Sequence, residues 1–272
     1  MTAPEHAERS PVSRALALAA GFTLATAFAA TGASADEADA KALLKAMSDY
    51  MGAQQQFSAS YDTSFEVVTH DHQKLQVAAS GDIVLQRPDK LRATRHGGFA
   101  NVEMVFDGKT FTILGKEANV YVQDEIPGTV EQLIDEVRNR LQKALPGADL
   151  LVPNIYDELM EGVTDVKDLG SGVIGGQECD HLAFRTPDFD WQIWIAQGAE
   201  PYPCRYVITS TQVDMAPQYT LELSNWKAGS AVAATDFGFK APEGATKIDP
   251  KDVKAMSGLD DMPSNFTLGT AQ

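Results

Sequence analysis

Between residues 57 and 67 the chain alternates without a break: Phe57, Ala59, Tyr61, Thr63, Phe65 and Val67 stand at every second position, with Ser58, Ser60, Asp62, Ser64 and Glu66 between them. Successive side chains of a strand point to opposite faces, so this period of two predicts a strand with one apolar and one polar face. Such a strand needs backbone partners along its edges and cover on one face only, which commits the chain to a sheet with a one-sided core. Leu75, Val77, Ala79, Ile83 and Leu85 repeat the pattern after a turn at His70-Asp71-His72, and Arg87-Pro88-Asp89 ends it. Further strands are predicted at 91–94, 102–106, 111–113 and around Tyr121, with Asp107-Gly108 as a two-residue hairpin turn in which both positions favour positive φ. They resume at 166–169, 179–185, 189–196, 205–210, 219–226 and 235–239, separated by short Gly, Pro and Asp turns.

Helical periodicity is confined to two places. Ala40, Leu43, Leu44, Met47, Tyr50 and Met51 recur at spacings of three and four, predicting an amphipathic helix over 36–54 that weakens at Gly52. In mid-chain, Thr129 and Gln132 form a capping-box pattern ahead of Val130, Leu133, Ile134, Val137 and Leu141, and the stripe stops before Pro146-Gly147. A shorter helix starts near Pro153 and carries Ile155, Tyr156, Leu159 and Met160. No strand–helix–strand alternation occurs, so an antiparallel rather than a parallel sheet is expected, and the expected class is α+β, mainly antiparallel β, with about ten strands in one domain. So few helices leave two ways to cover the sheet: its apolar faces bury each other, or they bend around a cavity plugged by the middle helices.

The N-terminus carries export signals. Arg9 and Arg14 precede an apolar run over 15–30, and Ala33-Ser34-Ala35 then offers small residues where a signal peptidase reads. The run is short and alanine-rich for a membrane span. No Arg-Arg pair precedes it and no cysteine follows the cut, so the general secretory route without lipid attachment is expected. The expected organisation is a signal peptide over 1–35, one domain over 36–249 and a loose tail over 250–272, with the mature chain in the periplasm and no transmembrane segment in it. The net charge of −16 argues against nucleic acid as a partner and gives anionic headgroups no long-range attraction. The chain has two cysteines, Cys179 and Cys204, and an oxidising compartment favours a disulfide between them over two buried thiols.

Catalytic signatures are scarce. No nucleophile elbow, zinc-protease helix, phosphate loop or C-x-x-C occurs. His70 and His72 lack a third metal ligand in the sequence pattern. Cys179-Asp180-His181 places a thiol near an imidazole, but a disulfide-bonded cysteine is no nucleophile. Asp188 and Asp190 share a strand face, as expected by chance in so acidic a chain, and Trp191 and Trp194 fall on opposite faces. The expectation is a non-enzyme with no catalytic residue, no metal and no cofactor.

Several local motifs carry a family resemblance. Arg87-Pro88-Asp89-Lys90-Leu91-Arg92, Phe106-Asp107-Gly108-Lys109-Thr110 and the closing Phe237-Gly238-Phe239-Lys240-Ala241-Pro242-Glu243-Gly244 resemble, in this order, motifs of the LolA-like superfamily of periplasmic lipoprotein carriers. The stretch from Cys179 to Arg185 and on through Asp190-Trp191-Gln192-Ile193-Trp194-Ile195 is similar to a subfamily of predicted periplasmic proteins with no assigned function. The resemblance implies an incomplete (half-open) β-barrel with an N-terminal helix, a helical lid insertion and a hydrophobic cavity for acyl chains. Phe57, Tyr61, Phe65, Phe111 and Ile113 are then the expected wall residues, and Leu133, Val137 and Leu141 the lid. The partner is a lipid or the acyl chains of a lipoprotein; the alternatives are an envelope-stress sensor that modulates a protein partner through the same cavity, and a hydrolase with an unrecognised site. N-terminal sequencing of the mature protein is expected to begin at Asp36; a retained Met1 in a membrane fraction would contradict the export reading.

Overall fold

The alternating segment forms strand β1 (Gln56–Val68), which pairs antiparallel with β2 (Lys74–Gln86) on one side and with β11 (Gln218–Ala228) on the other. The computed structural model describes residues 32–69, 71–98, 101–141 and 145–249, without the side chains of 32–35, 140 and 141. Residues 1–31 of the signal peptide expected over 1–35, His70 and the tail from 250 lie outside these residues. Beyond β2 the first meander continues through β3 (Lys90–Gly97), β4 (Asn101–Phe106), β5 (Thr110–Gly115) and β6 (Val120–Glu125). The second comprises β7 (Asp165–Ile174), β8 (Gln177–Arg185), β9 (Phe189–Ala196), β10 (Pro203–Ser210) and β11, and a final short strand, β12 (Thr246–Lys247), runs parallel to β6. The sheet order is β12-β6-β5-β4-β3-β2-β1-β11-β10-β9-β8-β7, so the β1–β11 pair alone splices the meanders.

Among the described residues the sheet has twelve strands rather than about ten, and in place of the expected incomplete (half-open) barrel it is an open, mainly antiparallel sheet that does not close into a barrel. Closure requires the edges to pair along their length. Here one edge, β12, is two residues long, and the other, β7, is bulged between Asp168 and Ser171. The predicted strand at 235–239 is not a strand. Its first residues turn back on themselves, with Gly238 N donating to Asp236 Oδ1, and Arg92 Nη1 donates to the Asp236 carbonyl at 2.6 Å. This tie lays Phe237 beside Val105 and Thr112, and Phe239 on the ring of Tyr121 at 5.1 Å.

The turn chemistry also differs in detail. The β4–β5 loop has three residues, and of Asp107 and Gly108 only the glycine has positive φ (87°). Asp107 instead uses its carboxylate, accepting from Lys109 N and Thr110 N at 3.0 and 2.8 Å. The capping box forms as the pattern implies: Thr129 N donates to Gln132 Oε1 at 2.9 Å and Gln132 N to Thr129 Oγ1 at 3.2 Å.

Helices α1 (Gly32–Ala53), α2 (Val130–Leu141) and α3 (Ile155–Met160) contribute to one core on one side of the sheet. Leu44 and Met47 of α1, Leu133 and Ile134 of α2 and Ile155 of α3 join Leu182, Trp191, Ile193 and Tyr206 in it. Each large side chain so buried contributes about 1.5–3 kcal/mol. Helix α1 packs across β7 and β9 and against α3, so its cover lies over the second meander. Among the described residues no helix is long and apolar enough to cross a membrane.

Cys179 on β8 and Cys204 on β10 are joined by a disulfide across the end of β9, where β10 bulges between Pro203 and Arg205. Both sulfurs are buried beside Ala196, in a small cluster separate from the main core. The bond closes a loop of sequence separation 25. Cys204→Ser is expected to lower stability by about 2–4 kcal/mol, read as a fall in thermal midpoint that reducing agent reproduces in the wild type and not in the variant.

Candidate functional site

Ladder register sorts the helix-side residues of β1–β6 into rows. The first runs Phe57, Leu85, Leu91, Phe106, Phe111 and Asp124; the second Ala59, Ile83, Ala93, Met104, Ile113 and Val122. The third runs Tyr61, Gly81, Arg95, Val102, Gly115 and Val120. Gly81 and Arg95 face each other where the β2–β3 ladder opens, between the pairs Ile83–Ala93 and Ser80–His96. Side chains therefore change from large and apolar across β1–β5 in the first row to a mixture of large residues with Ala, Gly and Val in the next two.

The first row belongs to the closed core. Phe57 is 2% exposed and stacks on Trp226, with ring centroids 4.9 Å apart, and Trp226 in turn stacks on Tyr202 and donates its Nε1–H to Tyr50 Oη. Phe111 packs half-buried against the same core. Further along, Phe65 pairs with Val77 and with Tyr219, and Ile113 pairs with Met104 and Val122. Phe65, Val77, Met104 and Ile113 are half-buried and lie beyond the main core cluster. On α2, Leu133 is buried, Val137 is half-buried against the core, and the side chain of Leu141 lies outside the described residues. The fold thus brings seven of the eight residues expected at a cavity to the helix side of one sheet, but distributes them between a packed core and a less covered strip.

Tyr61 joins the two zones. Its hydroxyl donates to the Thr94 carbonyl at 2.6 Å, and its ring lies over Gly81. A Cβ on Gly81 would lie 1.9 Å from that carbonyl oxygen and 2.7 Å from the Tyr61 ring, so only glycine leaves room for the contact.

Arg87 anchors the helical insertion to the sheet. It donates from Nη1 to the Leu151 carbonyl at 2.8 Å and from Nη2 to the Val152 carbonyl at 3.4 Å, while Val130 N donates to the Pro88 carbonyl at 2.9 Å. Burial weakens the preference of this guanidinium for its charged form, and nearby Glu131 opposes that effect.

The other sequence candidates resolve into structural contacts. His181 stacks on Trp194 at 3.9 Å and pairs through Nε2 with Gln192, while Arg205 lies over the same indole at 5.5 Å. Trp194 is on the face opposite Trp191, which is buried and stacked on Phe184. Asp190 accepts two hydrogen bonds from Arg185, at 2.8 and 2.9 Å, and this guanidinium holds its carboxyl below the usual carboxylate range. His72 meets Asp214 at 2.7 Å. Among the described residues no three His, Cys, Asp or Glu side chains converge on a metal-sized site.

Sequence reading missed Gly81, Ala93 and Arg95 as parts of this face. A signal was present for Arg95: it falls in the apolar phase of β3, two and four residues after Ala93 and Leu91, where a charge breaks the alternation.

A family described as predicted periplasmic protein (DUF2092) matches the chain over residues 40–250. No protein of curated function matches the sequence. Among solved structures, the lipoprotein LppX of Mycobacterium tuberculosis is similar at 14% identity and TM-score 0.39, over 70% of this chain and 96% of that one. LprF from Mycobacterium bovis is similar at 15% identity and TM-score 0.44, over 76% and 98%. A LolA superfamily protein from Nitrosomonas europaea is similar at 10% identity and TM-score 0.32, over 69% and 92%.

Tyr61→Phe is expected to lower stability by about 1 kcal/mol and Gly81→Val by more than about 2 kcal/mol, both read by urea unfolding; a neutral Gly81→Val would contradict the close approach described.

Proposed function

Because the chain belongs to the DUF2092 family of predicted periplasmic proteins, we propose that it works in the periplasm as a non-enzymatic binder of acyl chains, held on the helix side of β1–β6. The observation that carries this reading is the shrinking of side chains along the rows. Large residues close the core at Leu85, Leu91 and Phe106, while the small side chains of Ala59, Ala93 and Gly115 leave a trough floor beside half-buried Phe65, Val77, Met104 and Ile113. Six strands span about 24 Å at the usual strand spacing, enough to lay a long acyl chain across them. Each buried methylene contributes about 0.8 kcal/mol, so a 16-carbon chain gains roughly 10 kcal/mol before the cost of association.

Helix α2 is the cover in this reading. Its first turns are held by the capping box and by Pro88, and Val137 extends its apolar stripe toward the C-terminal end.

Three variants test the reading through thermal stability and uptake of a fluorescent fatty-acid probe by lipid-stripped protein. Phe65→Ala and Phe111→Ala are expected to lose clearly less than the about 3–5 kcal/mol of a full core truncation while taking up less probe. Val137→Asn, which puts an amide on the covering stripe, is expected to reduce uptake as well. The proposal fails if wild type takes up no probe and both truncations lose full core-scale stability.

A further inference from the structure

Two half-buried apolar patches on the helix side of the sheet are separated by a closed bar. The first lies in the second row, where half-buried Met104 and Ile113 pair with each other between Ala93 and Val122. The other lies six residues further along β1, where register sets Ile208, Tyr219, Phe65 and Val77 side by side across four strands, all of them half-buried. Six residues of strand put about 20 Å between the two rows. The intervening row on those four strands, Tyr206, Leu221, Thr63 and Ala79, is 2% to 8% exposed. Thr63 keeps its hydroxyl within the sheet, donating to the Ala79 carbonyl at 3.2 Å. The helical insertion lies on this row, since a Cβ on Gly147 would stand 3.1 Å from the Leu221 side chain. Nearer the first patch, the Tyr61 ring fills the space over Gly81 and is fixed there by its hydrogen bond to the Thr94 carbonyl.

Resting on the acyl-binding reading, we infer that the site takes a two-chained amphiphile, with one chain on Met104 and Ile113 and the other on Phe65 and Val77. A single chain running from patch to patch would have to displace the buried row or the Tyr61 ring, and close-packed side chains resist that. Each patch by itself offers three strand spacings, about 14 Å, of apolar surface. One crosses β3–β6 from Ala93 to Val122, and the other crosses β10, β11, β1 and β2 from Ile208 to Val77. Two chains joined at one head over the bar reach both patches at once, because seating the first places the second at high effective concentration. Two separate single-chain lipids would fill the same surface but would each bear the full cost of association.

The test combines native mass spectrometry with displacement of a neutral fluorescent acyl probe from the lipid-stripped mature protein. Monomyristoylglycerol and dimyristoylglycerol share a head and differ in carrying one chain or two. Wild type is expected to hold two molecules of the first or one of the second, and to favour the second by about tenfold or more. Ile113→Asn and Val77→Asn each put an amide into one patch. Each variant is expected to keep one monomyristoylglycerol and to lose the preference for the two-chained lipid. The inference is overturned if wild type saturates at one monomyristoylglycerol, if it binds both lipids with equal affinity, or if either variant loses both monomyristoylglycerol molecules. Should a variant not fold, the wild-type stoichiometry and preference decide. A single monomyristoylglycerol per wild-type chain removes the inference and leaves acyl binding intact. If neither lipid nor the probe binds, the acyl-binding reading falls and the inference with it.

Discussion

The pairing of β1 with β11 is the joint on which the rest of the molecule depends. Each meander can form from neighbours in sequence, but they share one sheet because residues 57–65 reach across to 219–228. That contact separates sequence neighbours by more than 150 positions, so its closure carries the largest entropic term of any ladder in the fold. The alternation of β1 makes it worthwhile: its apolar phase faces the helices and its polar phase faces solvent, and a slip by one residue would invert both. Side chains across the joint match that demand, with Thr63 opposite Leu221 and Phe65 opposite Tyr219 on the helix side, and Asp62 opposite Glu222 on the other.

Once the sheet is one-sided, cover has to be divided along it. Helix α1 lies over β7 and β9, where Trp191, Phe184, Ile193 and Leu182 complete a dense core. The first meander receives less helix, and small residues such as Ala59, Ala93 and Gly115 enter its rows beyond the Phe57–Phe106 line. On the opposite face the same strands are overlaid by the C-terminal segment through Phe237 and Phe239, which Arg92 ties down. The basic motif that starts β3 thus serves both faces: Arg87 holds the helical insertion and Arg92 the closing segment.

Much of this was legible in the sequence, and the exceptions have physical causes. Strand phases, the capping box at Thr129 and Gln132, the opposite faces of Trp191 and Trp194 and the Cys179–Cys204 bond follow from local periodicity and compartment. Strand number and closure did not, because closure depends on whether distant edges match, and neither β7 nor β12 announces itself as an edge. The 235–239 segment reads as a strand by composition, yet Asp236 binds Gly238 N and leaves the ladder. The size gradient among the rows was invisible because it depends on register between strands, not on any one of them.

The central claim, that the helix side of β1–β6 holds an acyl chain, is tested most directly by native mass spectrometry of the mature protein purified from the periplasm without detergent. The account predicts a folded species carrying a bound mass that matches an acyl lipid, released by organic extraction and identified in the extract. A folded protein whose native mass equals that of the polypeptide alone, with no lipid extracted and none taken up on incubation with acyl lipids, would contradict it.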